Sequence, residues 1–315
     1  MLFFDHDKIN FEVEKFSLIN EWTGSDKLEP YGNFAVTKAE KIPHNIGMGI
    51  RRKDTKEPLG IVSDDYFPVQ YAEIVDGVEQ ALVKSGLDTT DAEFTTNTYA
   101  NGAQLELRAK FPAHETEVVG DRGYIIPEFV FRTSHNRTWA NNGMIGYWRS
   151  VCFNTLVNGS KLAYVYGRHT KHFNVDLFAN KIRTAGEYIS GEGLEQMRNW
   201  FDTRITRDQA IDLFTKTLAK RTDNITGKKV ANKVMLSKLM STFDKENDHL
   251  HKRSSDSKDY SWQSGTLWTA YQAGTDWSSH SHGCKGKFHN VRVSREDKVK
   301  KMITSPEWKE LESVA

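Results

Sequence analysis

With 315 residues, 27% charged and 38% hydrophobic, the chain can bury a sizeable core and has none of the bias of a disordered or fibrous protein. No apolar run approaches the roughly 18 residues of a membrane span, no secretory signal is visible at Met1–Asp7, and the two cysteines, Cys152 and Cys284, suggest no disulfide framework, so a reducing compartment, the cytoplasm, is the expected setting. The net charge of +1 divides unevenly: residues 1–130 carry 13 Lys+Arg against 23 Asp+Glu, and residues 131–315 carry 30 against 19, which directs any polyanion to the second half.

Residues 1–45 hold no sustained period and read as an N-terminal arm. Ile46–Arg52 and Pro58–Ser63, separated by the polar turn Lys53-Asp54-Thr55-Lys56, predict a β-hairpin. The spacing of Ile74, Val75, Val78, Ala81 and Leu82 predicts a core-facing helix from about Tyr71 to Lys84, with Gly86 as its stop. Strands are expected at Phe94–Tyr99, Gln104–Phe111, Tyr124–Thr133 and Met144–Val151, the second alternating Leu105, Leu107 and Ala109 with polar residues.

Beyond Asp176 the pattern turns helical. A helix is expected to about Ser190, with Gly191-Glu192-Gly193 interrupting. A second, opened by the capping box Thr206-x-x-Gln209, is expected to run to about Arg221. Asn224–Gly227 is a turn, Lys228–Asp244 an amphipathic helix, and Lys245–Tyr260 a mobile loop. Thr266–Trp277 and a basic helix from Ser294 complete the chain. The fold class is α+β: a curved antiparallel sheet with an early inserted helix, then a mostly helical C-terminal half. Its parts are the arm (1–45), a sheet-based core (46–190) and a helical region with a basic tail (191–315).

Residues 131–175 contain no Asp or Glu. Cations and aromatic rings alternate there, the combination that holds single-stranded nucleic acid through phosphates and bases. The candidate DNA-binding residues are Arg132, His135, Arg137, Trp139, Tyr147, Trp148, Arg149, Lys161, Arg168 and Lys171, with the Ser134–Arg137 turn and Arg149 favoured. The competing reading is a Tyr/Trp-rich sheet whose rings are core and whose charges are solvated.

His280, His282, Cys284 and His289 offer four zinc donors within ten residues, but in neither familiar paired spacing and beside Lys285 and Lys287; a basic loop is preferred and no metal is expected. Asp64, Asp65 and Glu106 could be a nuclease pair site only if further carboxylates converged on them. Ile46-Gly47-Met48-Gly49 lacks the lysine and hydroxyl of a phosphate loop, so no nucleotide cofactor is expected. Cys152, among apolar neighbours, reads as a buried thiol.

Four motifs occur in order: Leu59–Gln70 (LGIVSDDYFPVQ), Ser134-His135-Asn136, Val151–Leu156 (VCFNTL) and Gly265–Ala273 (GTLWTAYQA). Together they resemble the phage and plasmid proteins of domain-of-unknown-function family 932. That family is distantly similar to single-strand annealing proteins of homologous recombination, which pair a curved antiparallel sheet with helices and assemble as rings or filaments around a basic groove. The resemblance implies an ATP-independent single-stranded DNA-binding and annealing protein, a homo-oligomer rather than an enzyme, working with a phage exonuclease or single-strand-binding protein. The alternative is a protein-interaction module that inhibits or decoys a host defence or replication factor.

Overall fold

The computed structural model describes residues 3–22, 40–85, 87–117, 121, 123–150, 154–156, 164–167, 175–253, 264–281 and 289–313. Strand structure begins inside the stretch expected to be an arm. β1 (Val13–Trp22) pairs antiparallel with β2 (Glu40–Arg52), which pairs with β3 (Pro58–Val62), so the expected hairpin is the second half of a three-stranded sheet. Val13, Ile50, Leu59 and Val62 bury a small core of their own under it with Ala103.

Helix α1 (Tyr71–Ser85) follows, and its predicted stripe is fully buried. Then come β4 (Glu93–Tyr99), β5 (Gln104–Lys110), β6 (Thr116–Glu117), β7 (Tyr124–Ser134), β8 (Asn141–Arg149), β9 (Asn154–Leu156) and β10 (Tyr164–Gly167). They make a seven-stranded antiparallel sheet in the order β10-β8-β7-β5-β4, with β6 beside β7 and β9 beside β8. The alternation in β5 sets its two faces. Leu105, Leu107 and Ala109 are fully buried on one, where they meet the core. Gln104, Glu106, Arg108 and Lys110 lie on the other. On the apolar face, Phe178 of α2 (Val175–Tyr188) stands edge-on to Phe129 and Phe131 of β7, with centroids 6.4 and 5.6 Å away.

Gly191 does not end the helical run. A π-helical turn at Ile189–Gly193 carries the chain directly into α3 (Leu194–Asp202). β11 (Arg204–Thr206) leads into α4 (Arg207–Lys216), whose capping box is formed as predicted: Thr206 Oγ1 accepts from Gln209 N, and Gln209 Oε1 accepts from Thr206 N. The helix stops five residues before the expected Arg221, because the chain turns through buried Leu218 and Ala219 into a second hairpin, β12 (Lys220–Thr222) with β13 (Lys229–Ala231).

Helix α5 (Lys233–Arg253) starts later than expected and runs on through residues read as a mobile loop. Burial of Glu246 and Asn247 against the rest of the fold explains the extension, which no apolar period announces. β14 (Ser264–Thr266) pairs with β11 and opens α6 (Leu267–His280), then α7 (His289–Ile303) and the unanticipated α8 (Pro306–Ser313) close the described chain. Trp200 of α3 lies between Tyr271 of α6 and Trp308 of α8, at 5.0 and 5.1 Å. One continuous apolar core therefore runs from Phe4 to Trp308. The fold class is α+β as expected. Among the described residues, no helix is long and apolar enough to cross a membrane.

Candidate functional site

Most of the sequence-predicted site residues that the structure describes face inward. Arg132, 7% exposed in β7, donates from Nε to Glu106 Oε2 and from Nη1 to Glu296 Oε2 of α7, both at 2.8 Å. Arg108 completes the cluster between Glu106 and Glu128. Burial raises the Glu296 carboxyl, but the guanidiniums of Arg132, Arg292 and Arg108 more than offset this and hold it at about 2. Arg149, 1% exposed, binds Asp121 Oδ2 at 2.8 Å, Glu246 Oε2 at 3.1 Å and Gln272 Oε1 at 3.2 Å. These two arginines correct the expectation of a phosphate-binding wall. Within the acid-free stretch from 131 to 175, Arg132 and Arg149 are paired with carboxylates brought in from β5, α5, α7 and the segment before β7. A guanidinium on a buried strand face needs such partners.

The rings behave likewise. Tyr147 is 1% exposed, and Trp139 is 7% exposed with Tyr99 edge-on at 6.1 Å. His135 is 1% exposed and stacks on Tyr71 with centroids 4.1 Å apart. Two predicted residues reach the surface: Arg137, in a turn at φ +64°, and half-buried Trp148, whose ring lies 4.0 Å below the Lys110 ammonium. Arg137 lies in the turn before β8 and Trp148 near the far end of that strand, with about 23 Å of strand between them at the usual rise. They therefore form no shared surface. Lys161, Arg168 and Lys171 lie outside the described residues.

Two of the sequence motifs meet in space. A Cβ on Gly60 of β3 would sit 2.7 Å from the Asn136 Cα, so this close approach requires glycine. Tyr66 Oη donates to the Ser134 carbonyl at 3.2 Å, and Tyr71 supports His135. The Leu59–Gln70 and Ser134–Asn136 motifs thus form a joint between the two sheets. Motif Gly265–Ala273 builds the buried start of α6 and supplies Gln272 to Arg149.

The best placed cations lie elsewhere, in a cleft of about 670 Å³ between α5, α6, α7 and the entry to β12. Along α7, Val291, Ser294, Arg295 and Lys298 recur at helical spacing and present one stripe to it. The same helix sends Val299, Met302 and Ile303 into the core and Glu296 to Arg132. Helix α5 adds Lys238 and Val234, and the entry to β12 adds Lys220. Trp277 forms the floor, with the Arg295 guanidinium 5.1 Å from its ring centroid and Arg295 Nη1 donating to the Ser281 carbonyl at 3.2 Å. The lining holds four cations, Lys220, Lys238, Arg295 and Lys298, and no carboxylate. Val234 and Val291, 70% and 36% exposed, stand at its rim as apolar contacts. From this rim the β12–β13 hairpin projects Arg221, Lys228 and Lys229, all exposed, into solvent.

A larger cleft of about 810 Å³ has the opposite sign. Glu192, Glu195, Asp202 and Glu312 line it against Arg204 alone, a poor field for a polyanion. Sequence reasoning missed the cationic cleft because its charges come from three separate elements, β12, α5 and α7. The available signals were the +11 of residues 131–315 and the spacing of Val291, Ser294, Arg295 and Lys298.

Among the described residues, His6, Asp76 and Glu79 bring one potential metal donor each to within 4.8 Å of one another. Glu79 Oε1 already accepts from Phe3 N and Phe4 N and lies 3.3 Å from His6 Nε2, so the group ties the N-terminal segment to α1. Of the cluster weighed for zinc, His282 and Cys284 and the side chain of His289 lie outside the described residues. The carboxylates weighed for a nuclease do not make a free metal pair, since both oxygens of Glu106 are engaged by Arg108 and Arg132.

No curated protein and no solved structure matches the chain. Residues 58–303 match the model of the Domain of unknown function (DUF932), and with most of its length inside that match the protein belongs to this family.

Proposed function

We propose that this protein binds single-stranded DNA in the cationic cleft and anneals it to a complementary strand without nucleotide hydrolysis. The observation that carries the reading is the cleft lining: four cations, no carboxylate, and apolar Val234 and Val291 at the rim. Lys220, Lys238, Arg295 and Lys298 would hold phosphates and draw the strand along α7. The exposed valines would contact bases without reading their sequence. A strand held by its backbone leaves base edges open to pairing, and pairing supplies its own free energy. The proposed setting, taken from the family's likeness to annealing proteins, is phage recombination in the host cytoplasm. There the chain would act as a ring or filament beside an exonuclease or single-strand-binding protein.

Neutralising four phosphates on a single strand predicts a logarithmic salt slope of about −3, or about a 50-fold loss of affinity between about 50 and about 200 mM salt. Fluorescence anisotropy of labelled oligo-dT at those two concentrations tests this. Absence of binding at the lower salt would sink the proposal. Capture of a host replication or defence factor in that case would establish the interaction module instead.

A further inference from the structure

The β12–β13 hairpin ends in an apolar side chain that the core does not use. Ile225 is 95% exposed, more than any other large hydrophobic among the described residues. The turn beneath it is firmly built. Asp223 Oδ1 accepts from Ile225 N at 3.1 Å, from Thr226 N at 2.7 Å and from Thr226 Oγ1 at 2.9 Å. Asp223 N donates to the Lys228 carbonyl at 2.8 Å, and Gly227, at φ +67°, donates its N–H to the Asp223 carbonyl at 2.9 Å. Such side-chain-to-backbone bonding pre-organises a turn. It also engages the single carboxylate of residues 220–233, leaving Arg221, Lys228 and Lys229 beside the turn and Lys220 and Lys233 at the base of the hairpin.

We propose that this hairpin is a wedge: Ile225 inserts between adjacent bases of the nucleic acid held in the cleft, while Arg221, Lys228 and Lys229 grip the phosphates on either side. The inference rests on the single-strand-binding reading and adds to it a residue that interrupts base stacking. Three features converge on a base step as the occupant. The cations select a polyanion. The hairpin is continuous with the cleft, since Lys220 lines the cleft and opens β12. A lone branched apolar side chain matches the wedges with which proteins unstack bases. An anionic membrane would also attract the cations, but one isoleucine offers it far less apolar area than a stable anchor needs. Unstacking at a defined position would keep the bound strand from collapsing on itself and leave its bases free to pair.

The test uses the full chain and an oligonucleotide carrying 2-aminopurine, whose fluorescence rises when it is unstacked, with anisotropy of labelled oligo-dT read in parallel. The wild-type protein is expected to raise the 2-aminopurine signal several-fold at saturation. Ile225→Ser should keep oligo-dT affinity within about twofold, because phosphates dominate binding, and should lose the signal, whereas Ile225→Leu should keep both. An unchanged signal with bound Ile225→Ser, or no signal with saturated wild-type protein, overturns the wedge and leaves the binding reading intact. Absence of any anisotropy change overturns both. Binding to phosphatidylserine vesicles that depends on Ile225, without an effect on 2-aminopurine, overturns it in favour of a membrane contact.

Discussion

Arg132 Nη1 lies 2.8 Å from Glu296 Oε2, joining the C-terminal end of β7 to α7 across 164 residues of chain. Through this bond the helix that presents Arg295 and Lys298 to the cationic cleft is registered against the seven-stranded sheet. The bond links the stretch that looked most like a nucleic-acid wall to the cleft that has the charges for one. It does so with structural charges rather than ligand-binding ones.

Removing one partner of this buried cluster should be costly. Arg132→Ala leaves Glu106 and Glu296 short of a cation and is expected to destabilise the fold by about 3–5 kcal/mol. Arg132→Met combined with Glu296→Met should recover much of that loss, because the pair's desolvation disappears with it. Urea denaturation of the two variants measures the difference. Equal destabilisation would show that the arginine's packing, and not its charge, holds α7.

Acid should loosen the same contact. Glu296 is held at about 2 against its ordinary 4.5, so the native state binds its proton less tightly than the unfolded chain does. Its stabilisation is complete above about pH 4.5 and is lost as the pH falls towards about 2, a contribution on the order of 3 kcal/mol by linkage. The urea midpoint should fall across that window, and Glu296→Gln should flatten the fall while lowering stability at neutral pH.

The cleft makes the opposite demand on its variants. Lys238→Glu and Lys298→Glu replace exposed side chains and should leave stability within about 0.5 kcal/mol. Each lost phosphate contact should lower the salt slope for oligo-dT by about 0.7. Unchanged binding in the double variant would remove the cleft from the path of the strand. Arg137→Ala, far from the cleft in sequence, serves as the comparison.

At the joint between the sheets, Gly60→Ala would press a methyl group into the Asn136 backbone. A loss of about 1–3 kcal/mol is expected from such overpacking, read as a lower thermal midpoint with oligo-dT binding intact. Thr206→Ala should cost about 1 kcal/mol by removing one half of the α4 capping box. The same melting experiment checks it.

Local chemistry alone determined a good part of this protein. The stripe from Ile74 to Leu82, the alternation in Gln104–Lys110 and the box Thr206–Gln209 each encode their element within a few residues, and each element forms. The turn at Asn224–Gly227 was equally legible, since Asp223 and Gly227 need only their neighbours to build it, although the two short strands it joins lie where the sequence predicts helix ends. Which face a charge would occupy was not. Arg132 and Arg149 look like surface cations until Glu296, Glu246 and Asp121 arrive from distant segments to neutralise them. The cleft was hidden for the complementary reason: Lys220, Lys238, Arg295 and Lys298 stand apart in sequence, and only packing around Trp277 makes them neighbours. Propensity and period are short-range properties, whereas charge pairing and charge clustering depend on contacts that chain folding alone brings together.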